Sequence, residues 1–523
     1  MKIWQISREY AGIAEAGGVK NVTTSLCEEL TKEGHDVTLF IPLYKCTCFD
    51  SLKEYEKSFV PKAKITVNGV SYEVGFDKAM CNGVKIIFVT NAAFAEKSGV
   101  YTYTIEDEKK DASHQHGTGF KDALLLNTLF QKGVLSYGKE RIDEIPDIIH
   151  CQDATTALVP AFVKAFYKEE FKKTRCVVTI HNAGAGYHHS FENKEQAKAY
   201  TELPTETLER ASINGVVEPF LLASETATLT TVSPSYAKEL LNPHNEATAG
   251  LSKAFAERGI TIKGITNGID FERYNPEKTE VSLLPYPFSP ETGRLFGKYN
   301  CRKYFLTKYA DSDHPVPDGI IRYGYISLGL ASDVSEPVYV GFHGRFVMQK
   351  GLDVLVGAAD RILSSDSAVR FIFIGHGQEE IEKSIIALSQ KYAGKCVYYK
   401  GYDRGFSRLC TAVSDFMVLP SNFEPCGLED FIAQIYGSVP VAHATGGLKK
   451  IIDGQTGFLY SPNTVDKLVE TLQNVIHIKQ NNSEAFRNII TTAASYVHKN
   501  YSWASVCKEF YMPLYRKLLR NKK

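Results

Sequence analysis

The sequence predicts an α/β protein of two doubly wound parallel-sheet domains facing each other across a cleft. Three observations carry that expectation. Short β-branched or aromatic runs alternate with longer helical stretches, the pattern of parallel sheets covered by helices. The alternation runs twice and breaks near 275–336, where Pro276, Pro285, Pro287, Pro290, Pro315, Pro317 and Pro337 gather. The length, 523 residues, suits two large α/β units.

Strands are expected in the first half at 2–7, 37–41, 85–89, 147–150, 176–181 and 228–233. In the second half they are expected at 338–341, 370–375, 397–399, 416–420 and 439–442. Short apolar runs bounded by Gly, Pro or Asn are what strands buried on both faces look like. Between them, Val22, Leu26 and Leu30 recur at every fourth position, and Gly34 follows as a helix stop. The polar stretch 106–119 reads as a loop, and 503–519 as a terminal helix. Open parallel sheets bind ligands at the carboxyl ends of their strands, and two such sheets facing each other make a cleft for a small molecule.

Composition narrows the function. Sixty Lys+Arg balance sixty Asp+Glu, for a formal net charge of +0. A dedicated nucleic-acid binder would carry a clustered basic excess, so none is expected, and a neutral partner such as a carbohydrate fits. With 44% hydrophobic residues the chain is not of the disordered class. It has no uncharged apolar run of about 18–20 residues, so no membrane span is expected. The start, MKIWQIS, is strand-like and lacks the parts of a secretory leader. The eleven cysteines are scattered with no CxxC pair, which reads as buried thiols in a reducing cytoplasm. Cys46 and Cys48 lack a paired second cluster, so no metal is expected.

Five segments could carry chemistry. In Glu15-Ala16-Gly17-Gly18-Val19-Lys20-Asn21-Val22, a Gly pair between strand and helix is either an anion site or a tight turn. In 344–353, Arg345 and Lys350 stand on a strand-to-helix loop; a guanidinium fork and an ammonium there either hold a diphosphate or are simply solvated. In 420–428, Glu424 either accepts sugar hydroxyls or is an ordinary carboxylate at a helix N-terminus. Thr445-Gly446-Gly447-Leu448 can offer N–H groups to phosphate. His181-Asn182 ends a strand, where a lone histidine is either a ligand contact or a satisfied structural residue. Adjacent His188 and His189 would point to opposite sides of a strand and are not read as a metal pair. The GxxxxGK[ST], GxGxxG and GxSxG signatures are missing.

The order and spacing of these segments resemble bacterial glycogen synthases and plant starch synthases, retaining glucosyltransferases of the GT-B fold. The resemblance runs from Met1 to about Leu519 and includes PDIIHCQD, VVTIHN, TTVSPSYAKEL, ITNGID, GRFVMQKGLD, IGHGQ, SNFEPCGL and ATGGL. It implies an acceptor-side Rossmann-like domain at 1–275, a nucleotide-sugar-binding Rossmann-like domain at 276–502, and a terminal helix, 503–523, packing back on the first. It implies transfer of glucose from a nucleotide sugar, ADP-glucose by preference, to the non-reducing end of an α-1,4-glucan. No cofactor or metal is implied. Arg345 and Lys350 match the pair that binds the diphosphate, Glu424 the carboxylate on the glucose hydroxyls, and Cys426 and Gly427 its companions against the sugar. Gly18 matches the loop amide facing the phosphates, His181 the histidine beside the transferred glucose, and Asn267 the asparagine of the NGID turn. Thr445 and Gly446 match the loop under the diphosphate, and Tyr402 an aromatic near the nucleoside. Retention in such enzymes is usually explained by same-face attack, the leaving phosphate taking the acceptor's proton.

The first-domain side departs from the family pattern. Glu15 stands where the family commonly has Lys, and Asn21 where it has Asp. Lys20 could compensate for Glu15. The motif His-Asp-Trp-His is reduced to Gln152-Asp153-Ala154-Thr155, the acceptor-side pattern around 120–130 is not clean, and an insertion at 313–334 has no counterpart. These departures leave two alternatives open: a catalytically weak glucan- or nucleotide-binding protein of the same fold, or a transferase using UDP-glucose or another acceptor. No oligomeric state is read from the sequence.

Overall fold

A computed structural model describes residues 1–327, 337–366 and 368–520. The chain forms two compact units, 1–267 with 506–523, and 268–505. The first boundary falls earlier in the chain than residue 275, and the terminal segment joins the first unit from residue 506 rather than 503.

The first unit carries β1 (Lys2–Ile6), β2 (Asp36–Pro42), β3 (Lys53–Val67), β4 (Val70–Cys81), β5 (Val84–Thr90), β6 (Ile148–Gln152) and β7 (Arg175–Ile180). A small hairpin, β8 (Ser212–Ile213) and β9 (Val216–Val217), precedes β10 (Ala227–Thr231) and β11 (Ile262–Gly264). The main sheet runs β11-β10-β7-β6-β1-β2-β5-β4-β3. It is parallel from β11 to β5, and β4 and β3 are added antiparallel. All six strands expected in this half are present. The β3–β4 hairpin was not expected because β3 is mostly exposed and polar, without an apolar run. Its turn, Asn68-Gly69, has positive φ at both residues, as a two-residue hairpin loop requires. Trp4 of β1 is buried edge-on against Tyr137 and Phe171, which anchors a long helix, Ala123–Glu140, to the sheet.

The second unit has β12 (Ile321–Ile326), β13 (Val338–Phe346), β14 (Val369–Gly377), β15 (Lys395–Lys400), β16 (Phe416–Leu419), β17 (Val439–His443) and β18 (Phe458–Tyr460). The order is β12-β15-β14-β13-β16-β17-β18, with β12 alone antiparallel. The five expected strands form its centre. The Pro-rich break at 275–336 is not merely a connection: it contains the helix Phe296–Lys308 and the edge strand β12. Of the expected insertion at 313–334, residues 321–326 are β12, and 328–334 lie outside the described residues.

Two smaller expectations differ from the structure. The stretch 106–119 begins with a helix, Ile105–Lys110, nucleated by a capping box between Thr104 and Asp107. The terminal helix is interrupted: Trp503–Val506 leads through a π turn at Cys507–Tyr511 into Met512–Arg520. Nine of the eleven free cysteines are buried, and Cys46 and Cys48 are exposed. No helix among the described residues is long and apolar enough to cross a membrane.

Both sheets reverse their strand order beside the first parallel strand of the unit, between β1 and β6 and between β13 and β16. Loops leaving neighbouring strands on opposite sides open a crevice at their carboxyl ends, where ligands of open α/β sheets bind.

Candidate active site

The second unit places every residue expected there at the carboxyl ends of its strands. Arg345 is the penultimate residue of β13, is exposed, and has no carboxylate paired with it among the described residues. Lys350 follows on the next turn, and its Nζ lies 2.5 Å from Glu424 Oε2 on the loop after β16. Ser421 Oγ also donates to that oxygen, at 3.2 Å. The two loops are laced by backbone: Asn422 N–H donates to Gln349 O at 2.8 Å, and Gln349 Nε2–H to Phe423 O at 2.9 Å. Gly351 (φ 62°) makes this approach possible, because a Cβ there would stand 2.0 Å from the Pro420 carbonyl oxygen. Lys350 and Glu424 therefore face each other because the strand order brings their loops together, not because of any closeness in sequence.

Thr445 and Gly446, after β17, underlie the same loop. A Cβ on Gly446 (φ 43°) would stand 2.0 Å from the Glu424 carbonyl oxygen, and one on Gly447 2.1 Å from that of Cys426. The amides of Thr445, Gly447 and Leu448, expected to be open to phosphate, are engaged: Thr445 N–H donates to His443 O at 2.7 Å, Gly447 N–H to Glu424 O at 2.7 Å and Leu448 N–H to Thr445 O at 3.0 Å. This glycine pair buttresses the Glu424 loop from below. Lys450 completes the support by donating to the carbonyls of Cys426 and Gly427 at 2.6 and 2.8 Å. Its partner Asp430 is wholly buried, and burial pushes that carboxyl up to about 6 against the pull of Lys450. Tyr402, after β15, is exposed. Ile432 packs in the apolar core.

In the first unit the loops after β1, β6 and β7 converge. Gly18 caps the helix Val19–Lys32, and a Cβ there would meet nothing within 4 Å. The amides of Ala16 and Gly17, just before it, are taken by Glu9 Oε2 at 3.0 and 2.5 Å. Glu15, the charge reversal, accepts from Gly12 N–H at 2.6 Å and pairs with Lys20 at 2.5 Å. Lys20 thus neutralises Glu15 directly. Arg8 is buried with no carboxylate paired with it among the described residues, donating to Tyr44 Oη (2.8 Å), Asn127 Oδ1 (2.6 Å) and the Val100 carbonyl (2.6 Å).

His181 is half-buried at the end of β7, its Nε2 2.8 Å from Gln152 Oε1. Burial lowers its pKa to about 4. Asp153 precedes it across the sheet with φ 68° and ψ 178°, a backbone region that side chains rarely occupy. Burial outweighs the backbone N–H groups of His181, Asn182 and Ala154 and, with Glu9 nearby, pushes the Asp153 carboxyl up to about 7. Asn267, the last residue of this unit's first stretch, is buried, and its Oδ1 has no hydrogen-bond partner among the described residues. His188 pairs with Glu218, its Nδ1 3.3 Å from Oε2. Among the described residues no group of three or more His, Cys, Asp or Glu is placed to hold a metal ion.

Glu9, Arg8, Gln152 and Asp153 were missed as site residues. The available signal was position: each stands within a few residues of the carboxyl end of β1 or β6, beside the reversal of strand order.

Comparison with known proteins agrees with this layout. Residues 2–257 match the family described as starch synthase catalytic domain, and residues 337–477 match glycosyl transferases group 1. The glycogen synthase of Thermodesulfovibrio yellowstonii is 30% identical, covering 99% of this chain and 98% of its own. That of Lactococcus lactis is 29% identical over 99% and 100%. The solved catalytic domain of starch synthase IV from Arabidopsis thaliana, bound to ADP and acarbose, superposes with a TM-score of 0.80 at 24% identity, covering 99% of each chain. The chain belongs to the glycogen synthase–starch synthase family, nucleotide-sugar glucosyltransferases of the GT-B fold.

Proposed function

We propose that this protein is a glycogen (starch) synthase that moves glucose, with retention, from ADP-glucose to the non-reducing 4-OH of an α-1,4-glucan. The observation that carries the reading is the Lys350–Glu424 ion pair across the reversal of strand order, with the exposed Arg345 guanidinium, which has no carboxylate paired with it among the described residues, at the end of β13. Breaking the C1–O bond builds negative charge on the departing diphosphate. Fixed cations at that point stabilise the transition state more than the ground state. Arg345 and Lys350 take that role, and Glu424 takes the hexose hydroxyls. Cys426 and Gly427 border the sugar, Thr445 and Gly446 hold the Glu424 loop, and Tyr402 borders the nucleoside. On the first unit His181 and Asn267 contact the transferred hexose, and Gly18 faces the phosphates. Lys20, paired with Glu15, leaves that loop without net charge.

ADP as the leaving group is supported by the ADP-bound starch synthase that the fold resembles. Eleven free cysteines support a reducing compartment such as the cytoplasm. The test is purified protein with labelled ADP-glucose or UDP-glucose and glycogen or maltoheptaose, without added metal. Incorporation into glucan from ADP-glucose is expected. Absence of transfer from both donors would leave a binding protein instead.

A further inference from the structure

Behind His181 a row of polar side chains crosses the first sheet from strand to strand. Gln152 Nε2–H donates to Gln5 Oε1 at 3.0 Å. Gln5 Nε2 lies 3.5 Å from His150 Nδ1, and Tyr515 Oη lies 2.7 Å from that same nitrogen. His150 Nε2 meets Thr179 Oγ1 at 2.6 Å, and Thr179 meets Thr230 at 2.7 Å. The row starts at the end of β6, uses β1, β7 and β10, and ends on the terminal helix. Gln5, His150, Thr230 and Tyr515 are wholly buried, and Gln152 and Thr179 are 1% exposed.

Central strands of a parallel sheet are normally apolar on both faces. Buried polar groups cost stability unless every one is paired, and a fully paired network holds each member in one orientation. The orientation here has a chemical content. A primary amide has one donor end and one acceptor end. With its nitrogen turned to Gln5, Gln152 presents its oxygen to His181, and the imidazole nitrogen at that contact must carry the proton. The Gln5 Nε2 donor also faces His150 Nδ1, which assigns that nitrogen as the acceptor; on that tautomer Tyr515 O–H donates to Nδ1 and His150 Nε2–H to Thr179, so the donors run in one sense along this part of the row.

We propose that Gln152 is a positioning residue for glucosyl transfer. It holds His181 as the Nε2–H tautomer, which leaves Nδ1 as an acceptor for a hydroxyl of the transferred hexose. The buried row ending at Tyr515 keeps the Gln152 amide in that sense. This rests on His181 being the sugar-contacting histidine of the proposed function. Burial keeps both histidines neutral, lowering His181 to about 4 and His150 to about 3, so a single tautomer persists at working pH. The terminal helix thereby acts on the site through hydrogen bonds as well as packing, and the glutamine at the departed His-Asp-Trp-His motif has a function of its own.

The test joins spectroscopy to kinetics on the full chain. In protein labelled with 15N-histidine, the shift of the unprotonated ring nitrogen reports each tautomer, and His181 is identified by the signals lost in His181→Gln. The wild type is expected to show Nε2–H at His181. Gln152→Leu is expected to mix the two tautomers and lower kcat about tenfold, the effect of one buried hydrogen bond, with acceptor KM nearly unchanged. Tyr515→Phe, which deletes one hydroxyl and keeps the ring, is expected to lower kcat about threefold and shift the His150 signals. An Nδ1–H tautomer in the wild type would overturn the proposal. So would wild-type kcat in Tyr515→Phe together with unshifted His150 signals, a result open even if Gln152→Leu does not fold. Because the tautomer is read in resting protein, failure of this proposal and failure of the glucan-synthase reading are separate results.

Discussion

Deleting the Lys350 ammonium tests the second unit's chemistry most directly. Its Nζ stands 2.5 Å from Glu424 Oε2, with the two side chains 20% and 16% exposed. Two unit charges about 4 Å apart at an effective dielectric of about 20 attract by roughly 4 kcal/mol, and a charge-assisted hydrogen bond contributes about 1.5–3 kcal/mol net. In Lys350→Ala, Glu424 retains only Ser421 Oγ among these partners, at 3.2 Å. The stranded carboxylate is expected to cost about 1–3 kcal/mol of stability. If Lys350 also takes up charge on the departing diphosphate, roughly 3 kcal/mol of transition-state stabilisation goes with it, lowering kcat at least about a hundredfold. Arg345→Ala is the control: Arg345 is exposed, with no carboxylate paired with it among the described residues, so the variant is expected to keep stability within about 0.5 kcal/mol while lowering turnover about a hundredfold. The assay is glucose incorporation from labelled ADP-glucose into glycogen, beside denaturant unfolding of each variant. Near-normal turnover in both variants would refute the charge-stabilisation argument. Strict additivity of Lys350→Ala with Glu424→Gln would refute the energetic coupling of the pair.

Three further outcomes are expected. Gly446→Ala puts a Cβ 2.0 Å from the Glu424 carbonyl oxygen at a φ of 43°; strain of about 1–3 kcal/mol should raise donor KM and lower the unfolding midpoint, and a wild-type donor KM would remove the loop from the site. Lys20→Ala removes the cation paired with Glu15 and is expected to weaken ADP-glucose binding several-fold; unchanged affinity, read by calorimetry, would end the compensation argument. Asp153, pushed up to about 7, binds a proton in the folded state that the unfolded chain releases near the ordinary carboxylate value. Its contribution is fully present below that value and lost as pH rises through about 7. Asp153→Asn should therefore gain stability relative to wild type between about pH 4 and about pH 7, and parallel pH profiles of the two proteins would contradict the shift.

The local order of this chain was legible because it is written in neighbouring residues. Apolar runs such as 37–41 and 370–375 can only be strands covered on both faces, and the loops of 344–353 and 420–428 announce their residue types. The hairpin β3–β4 escaped because an exposed edge carries no apolar run, and the helix Ile105–Lys110 because its capping box lies within a polar stretch. The amides of Gly17 and Gly447 were readable as present but not as engaged, since Glu9 and the Glu424 carbonyl reach them from other segments. Seventy-four positions separate Lys350 from Glu424, and 365 separate His150 from Tyr515. Sequence alone determined the buried parallel strands, the glycine turns and the charged groups on their loops. Tertiary structure alone decided which of them meet, because strand order in a sheet is set by packing between segments remote along the chain, and hydrogen-bond direction and pKa are set by whatever that packing brings alongside.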